Sequence, residues 1–253
     1  MKRVSGQGDR PPQGQEPAGW PLPAEAEAWA RHLVGRLKQA PLAVLPRWVV
    51  GADVAYDSGV AVAAAVVWDL KEGFPVWWRA LRRPISAPYQ PGLFFLREAP
   101  CLLPLLQRLP VRRWVGMVHG HGTAHPWGAG LACVVGALFK KPFLGCAGAL
   151  LCGQVSPLAE RRGNWVPVTH EGKVVGALVR TRDRAKPVAV SVGHRLKLPQ
   201  AVQLVLATSR YRLPEPLRLA DQLASAVLAG ALPGASLAAA TVEAVAPFQG
   251  GCP

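Results

Sequence analysis

The sequence has few acidic residues and no long apolar run. Only 15 of its 253 residues are Asp or Glu, against 29 Lys and Arg, which gives a formal net charge of +14. The longest apolar runs, Val60–Trp68 and Ala129–Phe139, are far shorter than the roughly 18 residues of a membrane span. Residues 1–15 lack the apolar core of a secretory signal. We therefore expect no membrane association and a cytoplasmic location.

The cysteines show neither an even number nor a CxxC pair. A reduced protein with buried thiols is the simplest interpretation of such a set. Glycine and proline together make up about a fifth of the chain, which is below the level that signals disorder. The cysteines are Cys101, Cys133, Cys146, Cys152 and Cys252.

The excess of basic residues has two interpretations. A strongly positive field attracts polyanions, and nucleic acid is the usual partner of a basic domain. Alternatively, a GC-rich coding sequence enriches arginine without selection for charge, because Arg outnumbers Lys 21 to 8 and Ile85 is the only isoleucine. Charge alone leaves both open.

Patterning divides the chain into a flexible arm (1–23), a mixed α/β domain (24–230) and a low-complexity, frayed tail (231–253). Three strands separated by short turns predict an antiparallel meander. A later strand–helix–strand unit requires parallel neighbours, so we expect a mixed sheet flanked by helices. The predicted strands are 47–56, 59–70, 76–85, 113–119, 142–147, a hairpin over 164–180 that turns at Glu171 and Gly172, and 187–192; the predicted helices are 24–39, 93–109, 128–139, 198–209 and 217–229.

Two carboxylates stand out because acids are rare and both lie in apolar segments. Asp53 lies inside WVVGADVAY, where a strand would bury it, and an unpaired buried charge is costly. A metal, an Arg or a Lys must face it, unless it lies at an exposed strand end. Glu98 lies in PYQPGLFFLREAP beside Arg97, and its alternative is a surface ion pair.

Histidines gather in VHGHGTAHPWG. His119, His121 and His125 fall within seven residues at the carboxyl end of a predicted strand, where open α/β sheets bind ligands. Gly120 and Gly122 allow close backbone approach. The alternative is a helix-capping loop with exposed histidines, because this spacing does not identify a metal site.

Two single residues each have a structural and a functional interpretation. A histidine such as His194, in SVGHR at the end of another predicted strand, is more often a core histidine than a catalytic one. Tyr89, between two prolines, either packs a loop or wedges into a base stack.

Taken together, six segments resemble the endonuclease V family, which is directed at deoxyinosine. They occur in the family's order and spacing across residues 24–229. The resemblance implies a ribonuclease H-like fold and a divalent-metal phosphodiesterase of DNA repair that cleaves the second phosphodiester bond 3′ to a hypoxanthine base. The segments are GADVAYD (51–57), PYQPGLFFLRE (88–98), VHGHGTAHP (118–126), PFLGCAGALLCG (142–153), SVGHRL (191–196) and RYRLPEPLRLAD (210–221).

By this resemblance, Asp53 binds the metal and Glu98 acts on the metal or on water. His194 matches a family histidine at the site, and Tyr89 is the wedge that fills the gap left by the flipped lesion. Arg97 and Arg180–Arg182 match basic positions of the family. The nucleic-acid-binding positions that the resemblance implies are Pro88, Tyr89, Gly92, Gly120, Gly122 and His125.

Two positions depart from the family pattern. His119 stands where the family has Asp, and Gly148 stands where it has Lys. Imidazole removes one negative charge, so Mg²⁺ would bind more weakly while Mn²⁺, Zn²⁺ or Ni²⁺ would tolerate the change. Losing the lysine removes a cation that would stabilise developing phosphate charge. Asp57 and Asp69 are the nearest spare carboxylates, and no other acid lies near residue 119 in the sequence.

Two functions of different class follow. In the first, the protein is an endonuclease whose divalent metal, Mg²⁺ by resemblance and Mn²⁺ by the chemistry of His119, is held by Asp53, His119 and Glu98. Glu98 and His194 then assist the attacking water or the leaving oxygen. In the second, the protein is a catalytically impaired relative that binds inosine-containing nucleic acid without cutting. We expect DNA as the partner, with RNA left open, and a monomer.

Overall fold

The computed structural model describes residues 21–85, 90 and 92–231, together with the backbone of 241–244. Its centre is a nine-stranded mixed sheet. The strands are β1 (Trp48–Asp57), β2 (Val60–Asp69), β3 (Phe74–Pro84), β4 (Trp114–His119), β5 (Phe143–Ala147), β6 (Trp165–His170), β7 (Lys173–Val179), β8 (Val188–His194) and β9 (Thr241–Ala244), and the helices are α1 (Ala26–Val34), α2 (Phe94–Leu106), α3 (Leu131–Phe139), α4 (Leu198–Thr208) and α5 (Glu215–Leu228).

The sheet confirms the predicted fold class. Strands β1, β2 and β3 form the antiparallel meander. Strand β4 lies parallel between β1 and β5, so the chain crosses over through α3. The predicted hairpin is β6–β7, and β8 joins it to β5 by antiparallel pairing. The strand order across the sheet is β6-β7-β8-β5-β4-β1-β2-β3-β9.

Apolar side chains on both faces of the sheet explain why helices cover both. One core packs α1, α2 and α3 against one face, and a second packs α4 and the start of α5 against the other. Helix α2 continues through Pro100 and Pro104, because burial of most of its residues outweighs the hydrogen bonds that proline cannot make. No helix in the described part of the chain is both long and apolar enough to span a membrane.

Helix α5 lies unusually close to β1 because Gly51 has no side chain. A Cβ atom at Gly51 would come within 2.2 Å of the backbone carbonyl carbon of Pro216. The glycine therefore lets the first turn of α5 rest directly on the middle of β1, and this contact sets where the rest of α5 runs.

One element was not predicted. Residues Thr241–Ala244, which lie in the segment expected to be frayed, pair with β3 as the edge strand β9. Their short Thr-Val-Glu-Ala sequence resembles its low-complexity surroundings, so local pattern did not indicate a strand.

Candidate active site

A cavity of about 360 Å³ opens where β1 continues beyond the last residue of β4. The parallel pairing of Ala52 with Val118 places Asp53 and His119 next to each other on neighbouring strands. In an α/β sheet this edge, outside the carboxyl ends of parallel strands, is where ligands bind. The side chains that line the cavity include Asp53, Phe94, Phe95, Glu98, His119, His121, His125, Leu131, Leu151 and Asp221.

Asp53 and His119 are bonded to each other. His119 Nδ1 lies 3.0 Å from Asp53 Oδ2, and the backbone N–H of Val54 donates to Asp53 Oδ1 at 2.8 Å. The Asp53 carboxylate is buried, with 7% of the residue exposed. The hydrogen bond to Asp53 raises the pKa of His119 although burial opposes the shift. The sequence predicted that a buried Asp53 needs a partner, and in this structure that partner is the imidazole of His119.

Glu98 lies on α2, which packs on the face of the sheet opposite to α4 and α5, and it reaches the same cavity. The Tyr56 hydroxyl donates to Glu98 Oε1 at 2.6 Å. The Arg97 guanidinium lies over the Tyr56 ring, 4.2 Å from its centroid. Burial raises the pKa of Glu98 to about 8, even though the Tyr56 hydrogen bond acts in the other direction. Glu98 is thus a buried acid, not half of a surface ion pair.

Asp221 is the acid that sequence reasoning missed. It projects from α5 into the cavity, and its pKa is raised by partial desolvation and by the nearby Asp53 carboxylate. It is separated from Asp53 by most of the chain, so proximity in sequence could not find it. The available signal was its place at the end of the matched segment RYRLPEPLRLAD. Asp57 and Asp69, the acids singled out by sequence, lie elsewhere: Asp57 is exposed as the last residue of β1, and Asp69 binds Arg47.

The types of side chain in the cavity suit a divalent cation. Three carboxylates (Asp53, Glu98 and Asp221) and three imidazoles (His119, His121 and His125) line one cavity, and carboxylate oxygen with imidazole nitrogen suits Mn²⁺ and Zn²⁺. Across residues 21–85, 90 and 92–231, however, no three His, Cys, Asp or Glu side chains are arranged so that they could hold a metal ion. Asp53 Oδ2 faces His119 Nδ1, so this hydrogen bond has to open before both atoms can serve as ligands.

His125 is hydrogen-bonded to Gly92, which follows the predicted wedge residues in the sequence. Its Nδ1 accepts from the N–H of Trp127 at 3.2 Å, so the proton is on Nε2, which donates to the carbonyl of Gly92 at 2.9 Å. Gly92 has a positive φ of 81°, a conformation that favours glycine. Both residues line the cavity, as does Gly120. Pro88 and Tyr89 themselves lie outside the described residues.

Two sequence expectations need correction. His194 lies at the carboxyl end of β8, but β8 is antiparallel to β5 and pairs His194 with Phe143, the first residue of β5. His194 is therefore at the opposite end of the sheet from His119, where its Nδ1 accepts from the N–H of Lys38 at 3.2 Å. Gly122 is buried, and its N–H donates to Ser191 Oγ at 2.7 Å, so that amide does not face the cavity.

A cation from another part of the chain lies beside Gly148. A Cβ atom at Gly148 would lie 3.5 Å from Arg212 Nη2, which donates to the Gly148 carbonyl at 2.6 Å. The guanidinium of Arg212 therefore covers the position from which a side chain at residue 148 would start.

Comparison with known proteins identifies similar chains. A family model described as Endonuclease V matches residues 31–222. The endonuclease V of Roseiflexus castenholzii is 45% identical over 180 residues, which cover 71% of this chain and 81% of that protein. The solved endonuclease V of Streptomyces avermitilis is 38% identical, with a TM-score of 0.79 over 85% of this chain and 97% of that one. Human ENDOV is 29% identical, with a TM-score of 0.74 over 82% of this chain and 98% of that one.

Proposed function

Since this chain belongs to the endonuclease V family of DNA endonucleases, we propose that it acts in DNA repair on deoxyinosine-containing DNA. It hydrolyses the second phosphodiester bond 3′ to the lesion and requires a divalent metal. The observation that carries the proposal is the convergence of Asp53, Glu98, His119 and Asp221 on one cavity at the carboxyl end of β4.

Asp53, Glu98, His119 and Asp221 are the side chains that would hold the metal. When bound, the metal supplies activation of water and stabilisation of the negative charge that develops on the phosphate. The imidazole of His119 favours Mn²⁺ over Mg²⁺, because Mg²⁺ prefers an all-oxygen octahedron while Mn²⁺ accepts a nitrogen ligand.

The remaining lining residues orient the substrate and exclude water. Phe94, Phe95 and Leu131 supply an apolar wall, which strengthens electrostatic interactions inside the cavity. Gly92 and Gly120 line the same space, which supports the proposal that their backbone contacts the flipped base, with Tyr89 and Pro88 as the wedge. His125 keeps Gly92 in position through its Nε2–H.

The experiment is a nicking assay on a duplex with one deoxyinosine, run in Mg²⁺, in Mn²⁺ and without metal. We expect wild type to nick one bond beyond the lesion, faster in Mn²⁺, and Asp53→Ala to be inactive. His119→Asp should shift the preference towards Mg²⁺ in nicking and in calorimetric metal binding. His121→Asp is the matched control, because it adds the same charge to the cavity lining without touching Asp53.

The second candidate is a binding protein that recognises inosine-containing nucleic acid without cutting. The Asp53–His119 hydrogen bond at 3.0 Å favours it, because it occupies a carboxylate that a nuclease needs for metal. Under this alternative, the wild-type protein does not nick the duplex in Mg²⁺, in Mn²⁺ or without metal, whereas His119→Asp recovers nicking. An inosine in an RNA strand, assayed in parallel, distinguishes RNA from DNA as the substrate.

The compartment is also a proposal. Cys101, Cys133 and Cys146 are buried free thiols, which is typical of proteins kept in a reducing cytoplasm.

A further inference from the structure

We propose that Arg182, Arg184 and Lys186, in the loop between β7 and β8, form a surface that binds the sugar–phosphate backbone of the DNA entering the active site. We call these three side chains the β7–β8 loop surface. The inference rests on the proposed function and adds to it the place where the backbone is held outside the cavity.

The loop lies at the same end of the sheet as the cavity. Strand β8 begins beside the end of β5, where Ala189 pairs with Ala147, and β5 carries Cys146 beside His119. Only β5 separates β4 from β8, so the loop is about two strand spacings, roughly 10 Å, across from His119. A duplex carries a negative charge about every 1.7 Å along its axis, so DNA seated over the cavity presents phosphates to this loop.

The three side chains are free to meet those phosphates. Arg182, Arg184 and Lys186 are exposed. The acid within the loop, Asp183, has its carboxylate turned to the backbone N–H of Arg162, at 2.6 Å. Arg180, by contrast, donates to the carbonyls of Leu158, Ala159 and Ala185, so it builds the loop from within.

Arg212 fastens the loop to the wall of the cavity. Its Nε donates to the carbonyl of Lys186 at 2.9 Å, and its Nη2 donates to the carbonyls of Pro187 and Gly148. Thr181 Oγ1 in turn donates to the Arg212 carbonyl at 2.6 Å. Gly148 directly follows Ala147, which lines the cavity. A phosphate held by the loop is therefore fixed relative to the active site.

The opposite end of the sheet offers a matched control. Arg112, Arg113 and Lys140 are also exposed, and they precede β4 and β5. The two sets have the same residue types and the same charge, but the second lies away from the cavity. If net charge alone attracted DNA, the two sets would contribute equally.

The test compares two triple variants, Arg182→Gln/Arg184→Gln/Lys186→Gln and Arg112→Gln/Arg113→Gln/Lys140→Gln. Affinity for a duplex with one deoxyinosine is measured without divalent metal between about 50 and 200 mM salt. Each phosphate contact contributes about 0.9 to the slope of log affinity against log salt. We expect the loop variant to lower that slope by about 3 and to bind at least tenfold more weakly at low salt, and the control variant to lower the slope by less than 1.

Equal slopes for the two variants would overturn the proposal. A melting temperature equal to that of wild type confirms that the loop variant is folded. If the triple variant does not fold, the single variants Arg182→Gln and Lys186→Gln are measured instead, and each is expected to lower the slope by about 1. The slopes are also measured on a duplex without inosine, where the same loss is expected. A wild type that neither nicks nor prefers the inosine duplex contradicts the proposed function, while these slopes still decide the binding surface.

Discussion

Tyr56 is the residue that holds Glu98 in the cavity. Its hydroxyl donates to Glu98 Oε1 at 2.6 Å, and its ring lies against the Arg97 guanidinium. The carboxylate comes from α2 and the hydroxyl from β1, so this bond fixes the acid relative to the strand that carries Asp53. Tyr56 does not itself line the cavity among the residues described, and it is therefore a positioning residue.

Replacing Tyr56 by Phe should slow nicking and leave substrate binding unchanged. Losing a hydrogen bond to an acid that must be oriented corresponds to a fall of about tenfold in kcat, with KM within about twofold of wild type. Single-turnover nicking and a separate binding titration measure the two effects. Tyr211→Phe is the control, because the Tyr211 ring is half-exposed beneath Arg218. Equal losses in both variants, or a loss of binding in Tyr56→Phe, would count against the positioning role.

Asp69 stabilises the other end of the meander. It is 1% exposed, and Arg47 Nη2 donates to its Oδ2 at 2.7 Å. Burial alone would raise the pKa of Asp69, but the hydrogen bonds from Arg47 and from the N–H groups of Lys71 and Glu72 outweigh it and hold the pKa below its ordinary value of 3.8. An acid with a depressed pKa stabilises the folded state above the pKa of the unfolded chain, and this stabilisation is lost as the pH falls through the folded-state pKa.

Asp69→Asn should therefore lower the melting temperature at pH 7, by about 2–4 °C in a domain of this size. The difference from wild type should shrink as the pH drops below about 4. Thermal unfolding followed by circular dichroism from pH 3 to pH 7 measures it. Asp57→Asn, at the exposed last residue of β1, serves as the control and should have little effect at any pH. A difference that stays constant with pH would exclude the ion pair as the cause.

At the scale of elements, the contact between α5 and β1 decides where Asp221 lies. Gly51 allows the backbone of Pro216 to rest on the strand, and Asp221 follows little more than one turn later on the same helix. Helix α5 thus delivers a third carboxylate beside Asp53 and His119. The position of α5 therefore matters both for placing Asp221 in the site and for packing the core.

Gly51→Ala should push α5 away from the sheet. Its Cβ would meet the Pro216 backbone within 2.2 Å, and such overpacking costs about 1–3 kcal/mol. We expect a melting temperature lower by several degrees, together with weaker metal binding because Asp221 moves. Gly35→Ala is the matched control, since a Cβ there meets only an ordinary contact at 3.6 Å. Unchanged stability in Gly51→Ala would show that α5 adjusts without cost.

At the scale of the whole molecule, the core buries three of the four cysteines that lie in the described part of the chain. Cys101, Cys133 and Cys146 are buried, whereas Cys152 is partly exposed. Burial raises the pKa of both Cys133 and Cys146 to about 12, and the thiolate is the form that reacts.

Among these four cysteines, alkylation of the native protein should modify Cys152 first. Cys101, Cys133 and Cys146 should react only on unfolding, at least a hundredfold more slowly under native conditions, because both access and thiolate formation are suppressed. Mass spectrometry of peptides after timed treatment with iodoacetamide gives the order, and Cys152→Ser removes the early adduct. Early modification of Cys133 would contradict the buried position on α3.

The amino-acid sequence by itself determined the family and, apart from the edge strand β9, the elements and their order. Apolar periodicity and turn residues are local properties, so the meander, the crossover unit and the β6–β7 hairpin could be predicted to within a few residues. The matched segments likewise singled out Asp53, Glu98 and His119, which the structure brings to one cavity.

Only the tertiary structure decided which other residues join them. His194 ends a strand, as His119 does, but β8 runs antiparallel to β5, so His194 lies at the opposite end of the strands from His119. Asp221 and Arg212 reach the site region from the last third of the chain, through the docking of α5 and of the segment before it. Strand direction and helix docking depend on long-range pairing and packing, which leave no periodic signal in the local sequence.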